Sequence, residues 1–139
     1  MMSDLKSHFH LARRLVGVAL CALPALFALA SGLWSRPIPP AQTGAGLVLV
    51  GIAGLIAFFN LYLLYLRPWR YRRRKGTDEG YRFVSGLPIV GNLLVVSGCL
   101  TAFGSGWVGG CGIAVALADP DGLAWFPFRT WRDASLWDN

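Results

Sequence analysis

The sequence predicts an all-α integral membrane protein, a four-helix transmembrane bundle with a short fourth helix and both termini on the cytoplasmic side. Three observations predict it. Of the 139 residues 55% are hydrophobic and only 14% charged, and a mean hydropathy of +0.50 is too apolar for a soluble fold of this length. The apolar residues also collect in uncharged runs long enough to carry a helix through roughly 30 Å of hydrocarbon. Finally, seven of the 13 Lys and Arg residues lie in one stretch, RPWRYRRRKGTDEGYR at 67–82, and such an excess marks the cytoplasmic side. Residues 1–139 are read as a single membrane domain.

The first span is 15–34, preceded by Lys6, Arg13 and Arg14. A basic region, an apolar core and Ala28-Leu29-Ala30 outline a secretory signal peptide. The apolar run continues to Trp34, an aromatic of the kind enriched at membrane boundaries, which favours an uncleaved anchor. Three prolines at 37, 39 and 40 stop the helix and make SRPIPPAQT, 35–43, an outer loop. The second span is 44–66, followed by the basic cytoplasmic loop, 67–82. A third span is expected over 83–103, bending at Pro88 or beginning there. A tight outward hairpin at 104–106 leads to a fourth helix over 107–118, only twelve residues or roughly 18 Å long.

Charge favours a full crossing by this short helix. With the tail inside, the basic residues divide 12 to 1, with Arg36 alone outside; with the tail outside they divide 10 to 3. The rival is a re-entrant segment buried by its neighbours. A DPDG turn at 119–122 opens the cytoplasmic tail, 119–139. Its Trp125, Phe126, Phe128, Trp131 and Trp137 suit a membrane interface, with a break at Pro127. Exposed aromatics that bind a partner are the sharper reading of the tail.

The basic block carries Arg67, Arg70, Arg72, Arg73, Arg74, Lys75 and Arg82, interleaved with Tyr62, Tyr65, Trp69, Tyr71 and Tyr81. Single-stranded nucleic acid stacks on such mixtures. Here the aromatics fall where the cytoplasmic interface is expected, so anionic lipid headgroups are the expected partner and nucleic acid is not. Thr77 is placed to cap a helix, with Asp78 and Glu79 following where a helix N-terminus favours carboxylates.

Within the spans, Asn60 and Asn92 are expected at similar depth on adjacent helices, where a mutual hydrogen bond would fix helix register. A polar wall for an ion path is the alternative, disfavoured because no ionisable residue is expected inside a span. Small residues recur at a spacing of four in Ser97, Thr101 and Ser105, and again in Gly106 and Gly110, a pattern that lets helices approach closely. Cys21, Cys99 and Cys111 form no CxxC pair and are read as free, buried small hydrophobes. His8 and His10 lack a third metal ligand nearby. With no nucleophile beside a base, no glycine-rich phosphate loop and no metal quartet, the expectation is a protein without enzymatic activity, cofactor or metal.

The stretch EGYRFVSGLPIVGNLLVVSG at 79–98, after an aromatic and arginine loop and before ADPDGLAWF at 118–126, resembles small bacterial polytopic inner-membrane proteins of uncharacterised function. The likeness spans about residues 60–126. It implies a bacterial inner-membrane protein and brings no site residues. The expected role is an interaction protein whose helices dock on a membrane partner or self-associate, in its pointed form an immunity protein against a co-encoded toxin. The alternative is an oligomeric minimal transporter or channel subunit.

Overall fold

The computed structural model describes residues 2–77, 80–82, 86–120 and 122–130, with side chains from residue 12 onward except 13 and 88. Every regular element among the described residues is helical: α1 (Met2–Leu33), α2 (Pro40–Leu61), a π-helical turn (Tyr62–Leu66), α3 (Arg67–Lys75), α4 (Pro88–Thr101), α5 (Gly106–Ala118) and the single-turn α6 (Phe126–Thr130). The segment Arg14–Leu33 of α1 and the unbroken 36-residue helix Pro40–Lys75 are long and apolar enough to cross a membrane. The helices α4 and α5 are shorter, with 14 and 13 residues.

Several boundaries differ from the sequence expectation for local reasons. Helix α2 begins at Pro40, inside the expected outer loop, because proline at the first helical position has the right φ and lacks only an N–H that would be unbonded there. The basic block is a helix over Arg67–Lys75 and not a loop. Arg and Lys are good helix formers, and the missing N–H of Pro68 is absorbed by the π turn. There the Arg67 N–H bonds to the Tyr62 carbonyl five residues back, and this wider ladder accommodates a residue that has no N–H. Gly76, in the left-handed region at φ 72°, ends α3 and bonds its N–H to the Arg72 carbonyl at 2.8 Å. The expected third span, 83–103, contracts to Pro88–Thr101, since the residue before a proline avoids helical backbone and Leu87 sits at φ −113°, ψ 64°. Of that expected span, residues 83–85 lie outside the described residues, as do Asp78 and Glu79. The side chains of His8 and His10 are likewise outside them.

Four of the helices share one packing rule. Buried positions follow a spacing of three and four: 24, 28 and 31 in α1; 46, 50, 53, 57 and 60 in α2; 92, 95, 99 and 102 at α4; and 109, 112 and 116 in α5. Such a repeat keeps a seam on one side of each helix. Most of the seam residues are small. Ala28, Val50, Ala53, Val95, Cys99, Ala102 and Val108 form the core, with Phe27, Leu94, Ile113 and Val115 packed around it. Helix α4 packs mainly on α2, and α5 mainly on α1.

Small seams bring backbones into direct contact. A Cβ added to Gly98 would stand 2.8 Å from the Gly46 carbonyl oxygen, and one at Gly109 would collide with the Gly32 backbone and stand 2.8 Å from the Ala28 oxygen. The spaced small residues singled out from sequence face elsewhere. Ser97, Thr101, Gly106 and Gly110 are all exposed, and Gly110 has open space around it. Within the chain the close packing is carried one register over, by Gly98, Gly109 and Gly112. Cys111 is also exposed, being on the outer side of α5, whereas Cys99 is in the core.

The outer surfaces of the helices are apolar, with Leu20, Leu55, Phe58 and Leu93 each more than half exposed. At one end of the core, the turn between α4 and α5 is tied to the segment after α1. The Arg36 Nε donates to the Phe103 carbonyl at 2.6 Å, the Gly104 N–H reaches the buried Ser31 hydroxyl at 3.4 Å, and Phe103 packs on Phe27 with ring centroids 5.5 Å apart.

The adjacent pair Gly109 and Gly110 tests the packing. Gly109→Ala is expected to destabilise the protein by about 1–3 kcal/mol through overpacking, whereas Gly110→Ala should be neutral or stabilise it by up to about 1 kcal/mol through helix propensity. Thermal unfolding in mild detergent reads both, and equal behaviour would contradict the packing described.

Candidate functional site

At the end of the core opposite Arg36, the seams of three helices finish in polar residues. Asn60 continues the α2 seam, Asn92 opens that of α4, and Asp119 extends the α5 repeat of 109, 112 and 116 by three more residues. All three are buried. The Leu87 N–H donates to Asn60 Oδ1 at 3.0 Å, which turns the amide nitrogen toward Asp119, where Nδ2 donates to Oδ1 at 3.1 Å. Because a backbone N–H can only donate, this contact fixes which way the amide faces.

Asn60 thus joins the body of α2 to the start of α4 and the end of α5. The partner expected for it was Asn92, and the bond instead goes to a carboxyl group, a stronger acceptor than an amide oxygen when ionised. Asp119 was read from sequence only as part of a turn. The turn is present, with the Gly122 N–H bonded to the Asp119 carbonyl at 3.0 Å. A Cβ at Gly122 would press on Asp119 at 3.0–3.2 Å, so a larger residue there requires Asp119 to shift by a few tenths of an ångström. The Trp125 indole N–H donates to the Leu117 carbonyl at 2.9 Å and satisfies one of the carbonyls left open at the end of α5. Pro127 lies buried in the first turn of α6 and does not break the segment there, while Trp131 and Trp137 are outside the described residues.

The basic block lies beyond this polar junction. On α3 the spacing of Arg67, Arg70 and Arg74 places the three on one side of the helix. Gly80, in the left-handed region at φ 79°, lets the chain return past Tyr71, and a Cβ on it would stand 3.5 Å from the Tyr71 hydroxyl. The returning Tyr81 packs edge-on to Tyr71 with centroids 5.2 Å apart. Together these residues line a cleft of about 510 Å³ whose walls include Tyr62, Arg67, Arg70, Arg74, Tyr81 and Arg82. Two further cations of the block make aromatic contacts: Arg73 stacks on Trp69 at 4.2 Å, and Lys75 lies 5.3 Å from the centre of the Tyr71 ring.

A second concavity is apolar and faces outward between α2 and α5, lined by Gly54, Ala57, Phe58, Ala114 and Ala118.

Removing either partner of the Asn60 bond leaves a buried polar group without it. Asn60→Leu strands the Leu87 N–H and one Asp119 contact, each worth about 1–3 kcal/mol, and Asp119→Leu strands the Asn60 amide nitrogen. The double substitution is expected to cost less than the sum of the two, and additive losses in detergent unfolding would show that the residues do not interact.

Comparison with protein-family models, with curated proteins and with solved structures gives no match to this chain.

Proposed function

We propose that this chain is a four-helix transmembrane bundle of the bacterial inner membrane, with both termini cytoplasmic, and that it acts without catalysis by docking its helices on a membrane-embedded partner. Two helices long enough to span and an exterior of exposed Leu, Ile, Val and Phe side chains support the membrane placement. The shorter α4 and α5 have lengths of roughly 20 Å. Their connecting turn is held by Ser31 and Arg36 and their far ends by Asn60, so the non-helical backbone at both ends is engaged by protein. The basic block, contiguous with α2, favours the cytoplasm for that end.

The observation that carries the docking role is the outward apolar groove between α2 and α5. Gly54, Ala57, Ala114 and Ala118 keep its floor low, a shape that admits the ridge of another apolar helix. Immunity against a co-encoded toxin is the narrower form of this reading, the partner then being the toxin or its target in the same membrane.

Two experiments test these statements. A carboxy-terminal reporter active only in the periplasm is expected to be silent, and activity would overturn the four-span arrangement. Crosslinking of a tagged copy at native level, followed by mass spectrometry, is expected to recover one stoichiometric membrane partner. That partner should be lost when Ala114 and Ala118 are replaced by Leu. Recovery of self-linked chains alone would favour the alternative of an oligomeric transporter or channel subunit.

A further inference from the structure

We infer that the cleft between α3 and the Gly80–Arg82 return is a site for one phosphate monoester group, such as the terminal phosphate of an anionic lipid. Of the seven cations in the basic block, Arg67, Arg70, Arg74 and Arg82 line one concavity, while Arg73 and Lys75 lie against the Trp69 and Tyr71 rings. Arg67 also lies 5.9 Å from the centre of the Tyr81 ring, and Tyr81 is held edge-on to Tyr71, so this wall is braced. Four like charges share the walls of this one open cleft, and an anion seated between them would meet all four at once.

The chemistry of the anion follows from number and shape. Guanidinium groups present paired N–H donors that match phosphate oxygens in a bidentate fork. A phosphate monoester carries about −1.5 to −2 charges at neutral pH and offers three terminal oxygens. A phosphodiester carries one charge and offers two such oxygens, so four arginines favour the monoester. The cleft adjoins the apolar helix through Tyr62, so a phosphate on a lipid can enter while its chains remain beside α2. A free phosphate has the same chemistry. The site rests on the proposed membrane placement only for the source of its phosphate, and measuring binding in detergent separates a failure of the cleft from a failure of the topology.

The full chain in uncharged detergent is titrated with short-chain phosphatidic acid, short-chain phosphatidylglycerol and inorganic phosphate, and binding is followed by calorimetry. Phosphatidic acid is expected to bind about tenfold more tightly than phosphatidylglycerol. Arg70→Gln with Arg74→Gln should weaken it about tenfold, whereas Arg72→Gln with Arg73→Gln, which removes the same charge, should change it by less than about threefold. Arg70→Lys with Arg74→Lys keeps the charge but loses the fork, and should erase most of the preference for the monoester. If a double variant unfolds at a markedly lower temperature, Arg82→Gln, outside any helix, repeats the measurement. Phosphatidic acid binding more tightly than inorganic phosphate assigns the site to a lipid, and equal affinities assign it to a soluble phosphate. Equal binding of the two lipids, or equal losses from the two glutamine pairs, would show diffuse surface attraction and overturn the inference.

Discussion

The backbone amide that opens α4 needs a partner outside its own helix, and the part-buried Leu87 N–H finds one in the buried Asn60 side chain. Pro88 makes the problem acute, because it ends helical backbone before itself and has no N–H of its own. Asn60 answers from α2, and in doing so orients its nitrogen toward Asp119 at the end of α5. A single side chain therefore holds three segments that are far apart in sequence. Their axial positions follow from it, since sliding any one helix past the others would break at least one of the two bonds.

That register is what the small seams require. Gly98 faces Gly46, and Gly109 faces Gly32, with no room for a side chain between them. Contacts between backbones exist only at the correct axial setting, whereas large flexible side chains could accommodate several. The polar junction at one end and the Ser31 and Arg36 contacts at the other hold the helices where glycine meets glycine. Close packing inside leaves the larger apolar side chains on the outside, where they suit hydrocarbon or a neighbouring helix. The same use of small residues toward the exterior, at Gly54, Ala114 and Ala118, produces the outward groove above the buried Ala57.

Much of this was legible in the sequence. The helical class, the two long apolar helices and the short helix beginning near residue 107 follow from run length and turn residues. The extension of the basic block as helix was not, because a dense run of charge between two apolar spans reads as a connecting loop. Only the π turn, a feature of backbone geometry, reconciles proline with continuity. Asp119 was hidden by its neighbours, since DPDG is a turn by composition and a turn in fact. The signal that would have found it is the repeat of 109, 112, 116 and 119, which puts its side chain on the buried side of α5. The spacing of Ser97 and Thr101 misled because a period of four alone does not say which side of a helix faces inward. That side is set by the whole pattern of the helix, which in α4 turns Asn92, Val95 and Cys99 inward.

The continuity of α2 with α3 has a mechanical meaning. A 36-residue helix measures roughly 54 Å, well beyond the roughly 30 Å of a hydrocarbon core. Its basic end is therefore a rigid arm extending from the packed helices, without a loop to absorb displacement. The arm meets the packed helices at Asn60, where α2 is bonded to the start of α4 and the end of α5. The π turn is the point of least stiffness along it, because a wider turn has poorer hydrogen-bond geometry. The arginines and the core are in this way joined by one piece of helical backbone.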